Sequence, residues 1–176
     1  AQGRYVPLDR QDTSLWDAVL IEEAEQLLHK AGAHRRPGRF QLEAAVQSAH
    51  AVRRKSAKAD WPAIAGLYDA LLALTDSPVV ALNRSIAIAQ TQGPKAGLAA
   101  LDALAADTRL ADYQPYWAAR ATLLAGARRR DEADAAYARA IGLEADPSVR
   151  NFLLGERARL AEAKPARPRS RRQPSC

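Results

Sequence analysis

Apolar side chains recur along most of the chain at intervals of three and four residues, which is the spacing of one face of an α-helix. In the first such run, residues 12–32, the shared face is predicted to carry Leu20, Ala24, Leu27, Leu28 and Ala31. Further runs follow after short gaps, at residues 38–54, 61–74, 78–91, 94–105, 115–126, 131–143 and 147–163. No segment gives a credible strand. The pattern predicts an all-α protein of about eight helices.

Capping residues and prolines mark where these helices begin. A capping residue stands beside or just before a proline at Asp60/Pro62, Ser77/Pro78, Gly93/Pro94 and Asp146/Pro147. Aspartate and serine side chains accept hydrogen bonds from the N–H groups of the first helical turn, which have no partner within the helix. Proline is favoured in that turn because it has no N–H group that would be left without a partner. Asp12, Pro115 and Asp131 are predicted to open the first, sixth and seventh helices.

The second helices of successive pairs carry anchors with a period near 34 residues. Tyr68, Leu101 and Tyr137 lie 33 and 36 residues apart, each with a small or apolar residue four positions before it and three after it. Such a period is typical of stacked antiparallel helix pairs, because one pair alone cannot bury its apolar face.

The pair formed by residues 115–143 resembles the tetratricopeptide (TPR) repeat, W-x2-L-G-x2-Y followed by A-x3-F-x2-A. The pattern is met in order by Trp117, Ala121, Leu124, Ala133, Tyr137 and Ala140, while Arg120 replaces its leucine. The resemblance implies a TPR-like solenoid, in which small residues let helices approach and an aromatic ring fills the space between pairs. The predicted packing anchors are Tyr68, Leu101, Trp117, Ala121, Ala133, Tyr137 and Ala140.

A narrower resemblance covers most of the chain. It is carried by TSLWDAVLIEEAEQLL, FQLEAAVQSAHA, DWPAIAGLYDALLALTDSPVVALNRSIAIAQTQGPKAGLAALDAL and YQPYWAARATLLA. These strings are similar to the C-terminal extension of a group of bacterial extracytoplasmic-function sigma factors, in which a TPR-like domain follows two sigma domains. The most specific stretch is SPVVALNRSIAIA with GPKAGLAALD, because a generic TPR repeat does not require it.

This resemblance implies a domain organisation and a function. Residues 1–11 would be a linker from upstream sigma domains, residues 12–163 the TPR-like domain and residues 164–176 a basic disordered tail. A first residue other than methionine also predicts a piece of a longer protein. The expected role is to modulate transcription initiation in the bacterial cytoplasm, through contacts with its own sigma domains, RNA polymerase or a regulatory protein. DNA would be contacted only through the missing domains.

The net charge of +6 belongs almost entirely to the tail. Lys164 and four arginines supply five positive charges there with no acid between them, at Arg167, Arg169, Arg171 and Arg172. The preceding 163 residues therefore carry only +1. A solvated, disordered end is the first interpretation of such a tail, and a weak phosphate-binding arm is the alternative.

Patterns of catalysis and metal binding are missing from the sequence. There is no H-E-x-x-H, C-x-x-C or Gly-rich phosphate loop, the histidines His29, His34 and His50 are scattered, and Cys176 is single. No stretch is long and apolar enough for a membrane span. We therefore expect no enzymatic activity, no cofactor, no metal, no small-molecule substrate and no membrane partner.

Candidate binding residues lie on the first helix of each pair, which lines the concave groove in TPR-like stacks. Arg84 and Arg120 occupy equivalent places on successive repeats, Asn83 precedes the first and Tyr116 lies before the second. Two such arginines can hold an acidic peptide by bidentate contacts, which makes a free-standing TPR adaptor the alternative function. The competing interpretation is that each arginine pairs with a nearby acid of its own chain or packs its stem.

Overall fold

The computed structural model describes residues 3–56 and 58–162. Over these residues the chain is helical and contains no strand, which confirms the all-α prediction. Single turns of 3-10 helix occur at Leu8–Arg10, Thr13–Leu15 and Thr108–Leu110. The α-helices of the described residues are α1 Ala18–Gly32, α2 Arg39–Ala51, α3 Arg53–Ser56, α4 Trp61–Leu74, α5 Pro78–Gln92, α6 Pro94–Asp102, α7 Gln114–Gly126, α8 Arg130–Leu143 and α9 Pro147–Glu162.

Three helices, α4, α5 and α9, begin with the predicted side-chain caps, whereas α8 begins at Arg130 with Asp131 inside its first turn. The Asp60 carboxylate accepts from the Ala63 N–H at 3.0 Å, and Ser77 Oγ accepts from the Val80 N–H at 3.4 Å. Asp146 accepts from the backbone N–H of Ser148 at 2.6 Å. Side-chain oxygens thus take up N–H groups that have no partner within the first turn.

The first helix begins later than predicted. Asp12 caps only the short turn Thr13–Leu15, and Trp16 then returns to an extended conformation. Asp17 accepts from the N–H groups of Val19 and Leu20, so α1 starts at Ala18. Both aspartates carry the same local capping signal, and the sequence alone does not rank them. The predicted helix 38–54 is likewise divided into α2 and the one-turn α3.

The helices stack as antiparallel neighbours along the chain. α1 packs on α2, α2 on α4, and each later helix packs on the next one as far as α9. α5 also contacts α7, so that the first helices of successive pairs are in contact. This is the helical-repeat solenoid that the period of the anchors predicts.

Burial is concentrated in the C-terminal half of the solenoid. The main apolar cluster is formed by α5–α9 and the turn before α7, and it contains Leu82, Leu98, Leu101, Leu110, Tyr116, Ala121, Leu123, Leu124, Ala133, Ala136, Tyr137, Ala140 and Leu153. Of the predicted anchors, Leu101, Ala121, Ala133 and Ala140 have no exposed surface, and Tyr137 is 4% exposed. Tyr68 and Trp117 are only half-buried.

Gly97 of α6 lies at a close approach between α6 and α5. A Cβ added at this residue would lie 2.4 Å from Ala89 Cβ and 2.7 Å from the Ser85 carbonyl oxygen, both on α5. Ser85 is fully buried, and its hydroxyl donates to the Leu82 carbonyl at 2.6 Å. The small residues of SPVVALNRSIAIA therefore allow α6 to lie directly against the backbone of α5.

Candidate protein-interaction surfaces

The two groove arginines are each bonded to an acid of the preceding helix. The Arg84 Nε on α5 donates to the Asp69 carboxylate on α4. Arg120 on α7 donates to Asp102 at the end of α6, at 2.5 Å. The Arg120 side chain is 20% exposed and that of Arg84 36% exposed. A carboxylate from a partner would therefore compete with Asp69 or Asp102 for these guanidinium groups.

A third pair joins consecutive helices in the same manner. Arg157 on α9 donates through Nε and a terminal nitrogen to both carboxylate oxygens of Asp134 on α8, at 2.6 and 2.7 Å. The hydrogen bond from Arg157 lowers the pKa of Asp134 below its usual value. Sequence reasoning missed these acids, although Asp69 and Asp102 each directly follow a predicted anchor.

Tyr116 does not lie in the groove. It is 5% exposed and packs in the core, with its ring edge-to-face against Trp117 at 5.3 Å between centroids. Tyr116 lies in the first turn of α7, within the predicted helix, but on the side of that helix that faces the main apolar cluster. Asn83 is half-buried on α5. The tail arginines Arg167, Arg169, Arg171 and Arg172 lie outside the described residues.

The N-terminal segment, defined as residues 3–16, lies on the last helix. Ser148 Oγ donates to the Gly3 carbonyl at 2.6 Å. The ring of Tyr5 meets Phe152 edge-to-face at 5.3 Å between centroids. Arg10 makes two further contacts with α9. Its guanidinium forms an ion pair with Glu156 at 2.8 Å and lies over the Phe152 ring, 5.5 Å from the ring centroid.

The same segment also touches the first helices. Arg53 of α3 donates to the backbone carbonyls of Leu8 and Asp9, the latter at 2.9 Å. The Arg53 guanidinium also lies over the Trp16 ring, 5.8 Å from its centroid. Residues 1–11 were predicted to be a linker. The described part of that stretch contacts α9 near its start, at Gly3, and contacts both α3 and α9 near its end, at residues 8–10.

One flank of α1 is apolar and uncovered. Leu20 is 61% and Leu27 58% exposed, and Ala24 between them is exposed as well. The half-buried side of the helix instead carries Ile21 and Leu28. Part of the face that periodicity assigned to the core is thus turned to solvent. We call Leu20, Ala24 and Leu27 the α1 flank.

Neither a metal-binding cluster nor a membrane-spanning helix occurs among the described residues. Among them, no cluster of three or more His, Cys, Asp or Glu side chains is arranged to hold a metal ion. Nor does any helix within these residues have the length and hydropathy needed to cross a membrane.

Comparison with known proteins shows that the chain is similar to a longer protein of a rhizobial bacterium. No family model matches the chain, and no solved structure matches it. A protein of Rhizobium meliloti (strain 1021), itself uncharacterized, is 40% identical over 166 residues. That alignment covers 94% of this chain but only 38% of the Rhizobium protein. The chain therefore spans well under half the length of this relative.

Proposed function

We propose that the chain is the C-terminal regulatory and protein-interaction domain of an extracytoplasmic-function sigma factor in the bacterial cytoplasm. Three observations support this proposal. The quoted strings between Thr13 and Ala125 resemble that group, and the fold is a helical-repeat solenoid. In addition, the similar Rhizobium protein is much longer than the chain. The domain would modulate transcription initiation by contacting its own sigma domains, RNA polymerase or a regulator.

The observation that carries a contact role is the α1 flank. A leucine pair with 61% and 58% exposure on the first helix is a surface that another protein can cover. α1 is also the helix nearest in sequence to any upstream sigma domain. In the proposed arrangement an upstream domain packs on Leu20 and Leu27, which either holds the sigma domains in a productive arrangement or masks them.

The charge distribution favours protein over DNA as the direct partner. The first 163 residues carry a net charge of only +1, whereas phosphate binding needs an excess of lysine and arginine. Arg84, Arg120 and Arg157 are moreover bonded to acids of the domain. Promoter recognition is therefore left to the upstream domains in this proposal.

The test has a sequence part and a functional part. The coding sequence upstream of Ala1 is read for two sigma domains, which the proposal requires. In the longer protein, Leu20→Glu together with Leu27→Glu should change the output of a promoter reporter. The matched control is Gln26→Glu, an exposed residue of α1 that lies away from the flank.

All three substitutions are at exposed positions, so the free energy of unfolding should change by no more than about 0.5 kcal/mol each. A thermal melt of each variant checks this. Unchanged reporter output from the double leucine variant would remove the α1 flank as the contact surface. An upstream sequence without sigma domains would remove the sigma-factor assignment itself.

A further inference from the structure

The N-terminal segment contacts both α3, near the start of the helical stack, and α9 at the other end of the described helices. Arg53 holds the carbonyls of Leu8 and Asp9, while the next residue, Arg10, reaches Glu156 on the last helix. Consecutive Cα atoms are only about 3.8 Å apart, so α3 and α9 both come within side-chain reach of one short stretch.

The contacts of this segment divide into two kinds. Arg53 and Ser148 donate to backbone carbonyls, which a peptide presents whatever its side chains are. Phe152 and Glu156 instead contact side chains, the ring of Tyr5 and the guanidinium of Arg10. Peptide-binding proteins use the same division, in which backbone contacts give affinity and side-chain contacts give specificity.

The segment is held at the surface and not in the core. None of its residues 3–16 is buried, and Tyr5, Val6 and Leu8 remain 41%, 42% and 41% exposed. The ion pair between Arg10 and Glu156 is partly open to solvent, because the Arg10 side chain is 51% exposed. Exposed ion pairs contribute little to stability, and segments with few buried contacts open locally without global unfolding.

We propose that Ser148, Phe152 and Glu156 of α9, together with Arg53, form a binding site for a short peptide that makes a single 3-10 turn at its arginine. The peptide it fits carries an aromatic residue and an arginine five positions later. Residues 3–10 of the chain occupy this site in cis and act as a built-in competitor, so that a partner segment of the same chemistry binds by displacing them. This inference does not depend on the sigma-factor assignment.

The test measures binding of a fluorescent peptide with the sequence of residues 3–16 to the full chain, by fluorescence anisotropy. In the unaltered chain the tethered segment competes at an effective concentration on the order of millimolar, so micromolar peptide should bind poorly. The double variant Tyr5→Ala, Arg10→Ala loses the two side chains that the site contacts. It should bind the peptide at least tenfold more tightly.

Three controls tie the binding to the site. Adding Phe152→Ala to the double variant should abolish binding, whereas Leu154→Ala, an exposed α9 residue, should leave it unchanged. A chain with Glu156→Arg should reject the original peptide. That chain should bind a peptide carrying Arg10→Glu, because the ion pair is restored with its charges exchanged.

Circular dichroism verifies that each variant is folded. Should the double variant be unfolded, the single variant Arg10→Glu is used in its place, since it opposes Glu156 and releases the segment by repulsion. Equal peptide affinity for the unaltered and released chains would overturn the proposal. So would the absence of binding to the released chain at a peptide concentration of about 1 mM.

Discussion

Replacing Gly97 by alanine tests whether α5 and α6 pack as the repeat requires. The new Cβ would lie 2.4 Å from Ala89 Cβ and 2.7 Å from the Ser85 carbonyl oxygen, whereas ordinary contacts begin at 3.4 Å. Neither neighbour can rotate away, because one is a backbone atom and the other is the single carbon of an alanine side chain. The two helices must therefore separate by roughly 1 Å.

Two effects of opposite sign determine how much Gly97→Ala changes the free energy of unfolding. Overpacking of this kind costs about 1–3 kcal/mol, and contact with backbone atoms favours the upper part of that range. Alanine in a helix interior is more favourable than glycine by about 1 kcal/mol. The net loss at Gly97 should be about 1–2 kcal/mol. Gly66 of α4 provides the matched control, since nothing lies within 4 Å of an added Cβ there. Gly66→Ala should therefore gain about 1 kcal/mol.

Urea denaturation followed by circular dichroism measures both variants against the unaltered chain. The unfolding midpoint should fall for Gly97→Ala and rise for Gly66→Ala, and the melting temperatures should shift in the same directions. For a chain of this size each kcal/mol corresponds to about 2–4 °C. Equal stabilisation by the two substitutions would show that α5 and α6 are not in direct backbone contact.

Three further predictions concern packing, pH and the ion pairs. Ala133→Leu fills a fully buried position and should lower the free energy of unfolding by about 1–3 kcal/mol, seen as a lower melting temperature. Burial, and secondarily the charge of Arg53, lowers the pKa of His50 below 6.5. Below pH 6.5 the unfolded chain therefore protonates His50 more readily than the folded chain does, so the free energy of unfolding should decline as the pH falls. His50→Gln should flatten this part of the curve of stability against pH. Arg84→Ala and Arg120→Ala should each cost at most about 1 kcal/mol, because their ion pairs with Asp69 and Asp102 are partly exposed. A coupling energy above about 2 kcal/mol in a double-mutant cycle would contradict this.

Local chemistry explains why most of the helices could be predicted. The caps of α4 and α5 are set by Asp60 and Ser77, whose side chains bond N–H groups only three residues away. The period of the anchors is likewise visible in the sequence, because every repeat solves the same packing problem. Where two local signals were equal, as for Asp12 and Asp17, the sequence did not decide between them.

The surfaces were harder to predict because they depend on distant residues. The bond between Ser148 and Gly3 joins positions 145 residues apart, and no local pattern encodes it. Pairing of Arg84 with Asp69 was left open by the sequence, since the choice depends on how α4 and α5 pack. The exposure of Leu20 and Leu27 follows from the position of α2, which lies against a different side of α1.

The regulatory role is tested most directly by removing the domain. A promoter reporter driven by the longer protein is compared with one driven by the same protein truncated just before Thr13, both in cells and with purified polymerase. The proposal predicts a changed output, with a decrease indicating that the domain holds the sigma domains productively and an increase indicating that it masks them. Equal output from the two proteins in both settings would contradict a regulatory function.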